Sequence, residues 1–170
     1  MVRRQMRRPF SAGILAVAMV AMAAGLPAST DSSVPPGVQD QFAGAWSLVS
    51  LEEEGADGKI HQADCTGMLV FTGDGHMSVQ VMYRDPKAGP AQYSLGGYEG
   101  SFGRYEVNDA RTFTFYVEGA LVRTLIGTKL RRVYEFEGKQ LIVKSANPSE
   151  HWKVVWQHNQ ERLCQFKRTH

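Results

Sequence analysis

From Phe42 onward the chain is a succession of short runs rich in Val, Tyr, Phe, Thr and Trp, broken every few residues by Gly or Asp, with few stretches of helical period. β-Branched and aromatic residues suit a pleated, half-buried surface and Gly and Asp suit turns, so the pattern predicts an all-β fold. Eight strands read in order: Ala45 to Glu52, Gly67 to Phe71, His76 to Tyr83, Tyr98 to Val107, Thr112 to Glu118, Thr128 to Phe136, Leu141 to Ser145 and Trp152 to Gln157. Asp74-Gly75 between two apolar runs marks a hairpin, because Gly takes positive φ without steric cost. Pro86, Gly89 and Pro90 exclude Arg84 to Ser94 from any central strand and make it a long loop. Gly97, Gly100 and Gly103 are spaced for a strand that bends or bulges at a barrel corner.

Eight successive strands joined mainly by short turns are enough to close a barrel whose interior is filled by side chains or holds one small ligand. Closure also removes the exposed edges of an open sheet. The predicted architecture is therefore a single eight-stranded up-and-down antiparallel β-barrel within residues 42–170, with a two-sheet sandwich as its rival. At 170 residues, 43% of them apolar, the chain has room for one such domain.

The N-terminal segment reads differently. Arg3, Arg4, Arg7 and Arg8 precede an uncharged run from Ser11 to Leu26, SAGILAVAMVAMAAGL. A basic start, an apolar run shorter than the ~20 residues of a membrane span, and small residues beyond it predict an export signal over residues 1–28. Cleavage is expected after Gly25 or Ala28, which leaves residues 29–41, polar and Pro-containing, as a flexible leader. An uncleaved membrane anchor is the competing reading. Arg7-Arg8-Pro9-Phe10 resembles the twin-arginine export pattern, so the expected destination is the periplasm or the exterior by the general or the twin-arginine route. No stable membrane span is expected once the segment is removed.

The formal charge of +2 depends on those four Arg; without them the 17 acidic residues outnumber the basic ones, and a nucleic-acid partner loses its electrostatic support. Cys65 and Cys164 either bridge in an oxidising compartment or stay as two buried thiols, and their spacing does not choose between these. The five His are dispersed without metal-ligand spacing, and neither G-x-S-x-G nor a phosphate-cradling loop occurs. No catalytic residue, metal ligand or cofactor is assigned on these grounds.

Strand alternation nominates the residues of a binding interior. Trp46, Tyr98, Phe115, Tyr134 and Trp156 form an aromatic set that either lines a cavity or fills the barrel, and Met77 adds an adaptable apolar contact. Arg132 shares a face with Leu130, Tyr134 and Phe136. A buried guanidinium must be paired, either with Glu118 or with an acidic ligand, unless a one-residue slip of register turns Arg131 inward instead.

The residues also carry a resemblance. Gly44-Ala45-Trp46 has the G-x-W pattern of lipocalins, and FAGAWSLVSLEEEGADGK, GMLVFTGDGHMSVQV, YEGSFGRYEV, FYVEGALVRTLIGTKLRRVYEFEGKQLIV and WKVVW follow in an order similar to the bacterial and fungal lipocalin-like domain family over most of residues 42–157. That resemblance implies a small barrel with a central pocket; barrels of similar design serve as carriers, or as cyclases and isomerases. The chain departs from the pattern twice. Phe115 and Tyr116 stand where the family often carries paired His, and Gln157 and His158 follow Trp156 where lipocalins proper set an Arg against the first-strand Trp. The expected function is binding of a small hydrophobic or weakly acidic molecule in the barrel. The alternative is a cyclising or isomerising enzyme using Glu118, Tyr98 or Arg132.

Overall fold

The computed structural model describes residues 34–90 and 92–159. The expected export signal, the first part of the expected leader and Cys164, hence any Cys65–Cys164 bridge, lie outside the described residues. A short helix α1 (Val38–Phe42) leads into β1 (Gly44–Glu54) and β2 (Ile60–Gln62). Then follow β3 (Cys65–Phe71), β4 (His76–Tyr83), β5 (Tyr98–Val107), β6 (Thr112–Ala120), a 3-10 turn at Arg123–Leu125, β7 (Lys129–Glu137), β8 (Gln140–Ser145) and β9 (Trp152–His158).

β3 to β9 each pair antiparallel with the next, and β1 pairs with β3 on one side and β9 on the other. The β1–β9 seam runs from Trp46 opposite His158 to Glu53 opposite Trp152 and closes eight strands into an up-and-down barrel. The sandwich is thereby excluded. β2 is a ninth, three-residue strand between the first two expected strands, paired with Glu52–Glu54 at the end of β1. The expected leader also overlaps α1 at residues 38–41, which are helical.

The hairpin at Thr72–Gly75 follows the chemistry of its residues. Gly75 takes φ 88°, the Thr72 hydroxyl donates to the Asp74 carboxylate, and the His76 amide donates to Thr72 Oγ1 at 3.0 Å.

Two bulges decide which side chains face inward. In β1 the pairing shifts between Leu48 and Ser50, so Val49 is the extra residue and is 50% exposed. The insertion switches parity: Trp46 is inward before it, and Leu51 and Glu53 after it. Between β5 and β6, Phe102 faces Gly119 and Gly103 faces Val117, which makes Glu118 on β6 the extra residue. A Cβ on Gly103 would lie 2.0 Å from the Tyr116 carbonyl oxygen, so the tight approach at this bulge requires glycine. Gly103→Ala is expected to cost about 1–3 kcal/mol by urea denaturation. Gly100→Ala is the mild control, because its methyl meets only the movable Tyr98 ring.

The base of the barrel is an aromatic plug. Phe42 of α1 is fully buried, with its ring centroid 4.9 Å from that of Tyr134 and 5.0 Å from those of Phe71 and Phe136. Trp46 Nε1 donates to the Phe42 carbonyl at 2.8 Å and so ties α1 to the first strand. His158 stands edge-on to Trp46, with ring centroids 4.5 Å apart.

Candidate functional site: a cavity at the loop-covered end of the barrel

Above the plug the barrel encloses a cavity of about 90 Å³, room for several waters or part of a small ligand. Its walls are apolar, with Leu69, Val81, Phe113, Phe115, Val154 and Trp156 each contributed by period-2 alternation on its strand. The 84–97 loop covers it: Pro90 and buried Tyr93 line the space, and the Tyr83 amide donates to the Gly97 carbonyl at 2.8 Å to hold the far end of the loop.

Arg132 is the inward member of its pair. Arg131 stands in solvent, where its Nη2 donates to Thr112 Oγ1 at 3.1 Å and lies 3.4 Å from the Asp109 carboxylate. The Arg132 guanidinium lies over the Trp152 and Tyr93 rings, 4.8 and 5.3 Å from their centroids, and Nη2 donates to the Tyr93 hydroxyl at 3.2 Å. Its counter-charge is Glu150, with Nη1 3.8 Å from Oε2. That carboxylate accepts hydrogen bonds from Tyr93 (2.7 Å), Trp152 Nε1 (3.1 Å) and Asn147 (3.1 Å), and from Ser145. Burial works to raise its pKa, but these donors together hold it below the ordinary carboxylate value.

Two more carboxylates face the cavity. Glu53 accepts from the Tyr83 hydroxyl at 3.1 Å; burial raises its pKa and that hydrogen bond opposes the rise. Tyr83 is pushed well up by burial and by the charge of Glu53. Glu99 on β5 accepts no hydrogen bond from any described residue, and it lines the cavity as a partly buried residue. Burial raises its pKa to about 7, against the attraction of Arg132 and with help from Glu53. Behind them Cys65 points its thiol at the Ala63 carbonyl at 3.8 Å and is pushed up to about 11 by burial and by the charges of Glu53, Asp64 and Glu99.

A raised carboxyl pKa means that the folded state binds the Glu99 proton more tightly than the unfolded chain does. Stability is then lost as pH rises from the ordinary value of 4.5 towards 7, by about 2–3 kcal/mol from this group. Urea denaturation at pH 5 and pH 8 is expected to show Glu99→Gln losing less stability than the parent protein over that interval. Equal losses would contradict the assignment.

Of the residues nominated from sequence, Met77, Phe115, Arg132 and Trp156 line this one cavity. Trp46 and Tyr134 are buried below it in the plug, where the Tyr134 hydroxyl donates to the Asp109 carbonyl at 3.0 Å. Tyr98 and Glu118 require correction. Tyr98 sits on the outer face opposite Met82, and Glu118 is 46% exposed with Arg104 Nε 3.1 Å from its Oε1, so neither reaches the cavity or Arg132. Sequence reasoning missed Glu53, Glu99 and Tyr93; Glu150 pairs with Arg132, and the neighbouring His151 bonds Glu54. Among the described residues no cluster of three or more His, Cys, Asp or Glu is placed to hold a metal ion, and no helix is long and apolar enough to cross a membrane.

The family model of the lipocalin-like domain matches residues 43–165. Among solved structures, a lipocalin-like protein from Bacteroides uniformis is similar at 18% identity and a TM-score of 0.43, over 69% of this chain and 98% of that one. An uncharacterized protein from Bacteroides eggerthii is similar at 16% identity and a TM-score of 0.42, again over 69% and 98% of the two chains. No curated protein matches the chain. The first-to-last strand closure and a family match over most of the length lead to one assignment: the chain belongs to the lipocalin-like domain family.

Proposed function

We propose that this protein is an exported binding module that takes a small, mostly apolar molecule into the barrel. The observation that carries this reading is the cavity itself, an apolar space with a few convergent polar groups at one end, covered by a loop. The basic, apolar and small-residue pattern of residues 1–28 supports export. Native mass spectrometry of the protein purified from the exported fraction of its own cells is expected to show a retained small molecule. The absence of any adduct, together with no response of the cavity residues Trp152 and Trp156 to added apolar compounds, would overturn the reading.

Glu99 favours a second reading, a cyclising or isomerising barrel enzyme, because a cavity carboxyl that titrates near neutrality can take and return a proton. Glu118 cannot serve there, being on the outer face. In that case Glu99→Gln would retain a molecule different from the one retained by the parent protein, substrate in place of product. An identical adduct in both would exclude turnover at Glu99.

A further inference from the structure

The charge balance of the cavity says more about the ligand than its apolar walls do. Arg132, the cation expected to attract an acidic ligand, is already matched: Glu150 lies 3.8 Å away, and the guanidinium rests on Tyr93 and Trp152. Glu53 and Glu99 remain, on β1 and β5, both lining the same space and neither opposed by a cation within salt-bridge distance among the described residues. Glu53 at least accepts the Tyr83 hydroxyl. Glu99 is a partly buried carboxyl lining the cavity with no donor, and a carboxylate shielded from water in that state is costly until something supplies one. A carboxylate ligand would add a third negative charge to this enclosure and would compete with Glu150 for Arg132.

We propose that the cavity selects a small amphiphilic amine, with its ammonium against the Glu99 carboxylate, Glu53 as the second negative neighbour, and its hydrocarbon part on Phe113, Phe115 and Trp156. The proposal rests on the binding reading above and names its ligand class. An ammonium supplies three donors and one positive charge, which is what Glu99 lacks and what the Glu53–Glu99 pair leaves uncompensated. The aromatic walls add cation–π attraction for a charge that stops short of the carboxylate. Protonation of Glu99 removes the nearer charge, and Glu53, whose pKa burial also raises, is neutralised in the same direction, so binding weakens as pH falls below about 7. The other ionisable groups around the site are Arg132 and Glu150, already paired with each other, and Cys65, Tyr83 and Tyr93, all held in their neutral forms by raised pKa values.

The test uses three probes that share a ring and differ only in the head group: 3-phenylpropylamine, 3-phenylpropionate and 3-phenyl-1-propanol, titrated calorimetrically into the full protein at pH 8 and pH 5.5. At pH 8 the amine is expected to bind about tenfold or more tighter than the carboxylate, and to weaken by about as much at pH 5.5 while the alcohol does not change. Glu99→Gln is expected to remove the advantage of the amine and leave the alcohol unaffected. A carboxylate that binds as tightly as the amine, or an amine indifferent to both pH and Glu99→Gln, would overturn the proposal and leave the binding reading standing. Failure of all three probes to bind would bring down the binding reading itself. The head-group ranking in the unmodified protein decides the matter even if the variant does not fold.

Discussion

Phe42→Ala is expected to destabilise the protein by about 3–5 kcal/mol, although the residue lies in a five-residue helix ahead of the first strand. Its side chain is fully buried and meets five aromatic rings, those of Phe71, Tyr105, Phe113, Tyr134 and Phe136, from strands on several sides of the barrel. Removing it opens a void that these rings cannot all relax into, because each is fixed to its own strand. The helix itself contributes little locally; its N-cap is Gly37 without a side-chain hydrogen bond, and five residues are too few to persist alone. The plug therefore holds the helix. Urea denaturation checks this, and a loss under about 1 kcal/mol would show that α1 is not part of the cooperative unit.

Arg132→Ala is expected to cost about 3 kcal/mol, near the lower end of what breaking a buried ion pair costs. With side chains only 11% and 18% exposed, Arg132 and Glu150 are weakly screened by water, so an orphaned Glu150 is penalised. The penalty stays at the lower end because Glu150 keeps its donors from Tyr93, Trp152, Ser145 and Asn147. Part of the loss is packing, since the guanidinium fills the space between Tyr93 and Trp152. A double-mutant cycle with Glu150→Gln separates the two, and a coupling near zero would mean that the rings alone hold Arg132.

Arg132 also shows how far period-2 reasoning reaches. Its neighbours Leu130, Tyr134 and Phe136 set the parity of β7, and an unbroken strand preserves that parity along its length. The same rule places Glu118 opposite in parity to Phe115, a conflict already present in the sequence that the structure resolves in favour of Phe115. β5 was harder. Tyr98 and Phe102 share one parity and Tyr105 and Val107 the other, so apolar content alone favours neither face. The structure buries Tyr105, leaves Phe102 57% exposed, and so carries Glu99 into the interior.

The sequence alone determined the strand-and-turn pattern, the hairpin at Asp74-Gly75, the barrel class and the inward Arg or its neighbour, because each depends on local propensity and on a period of two residues. Tertiary structure decided the rest. The bulge at Val49 turned Glu53 inward, competition between the two faces of β5 did the same for Glu99, the folded-back 84–97 loop brought Tyr93 over Arg132, and the aromatic base recruited α1. Each of these is settled by which partners lie across the barrel, at separations of tens of residues, where a one-residue insertion that no local preference signals exchanges the inside of a strand for its outside.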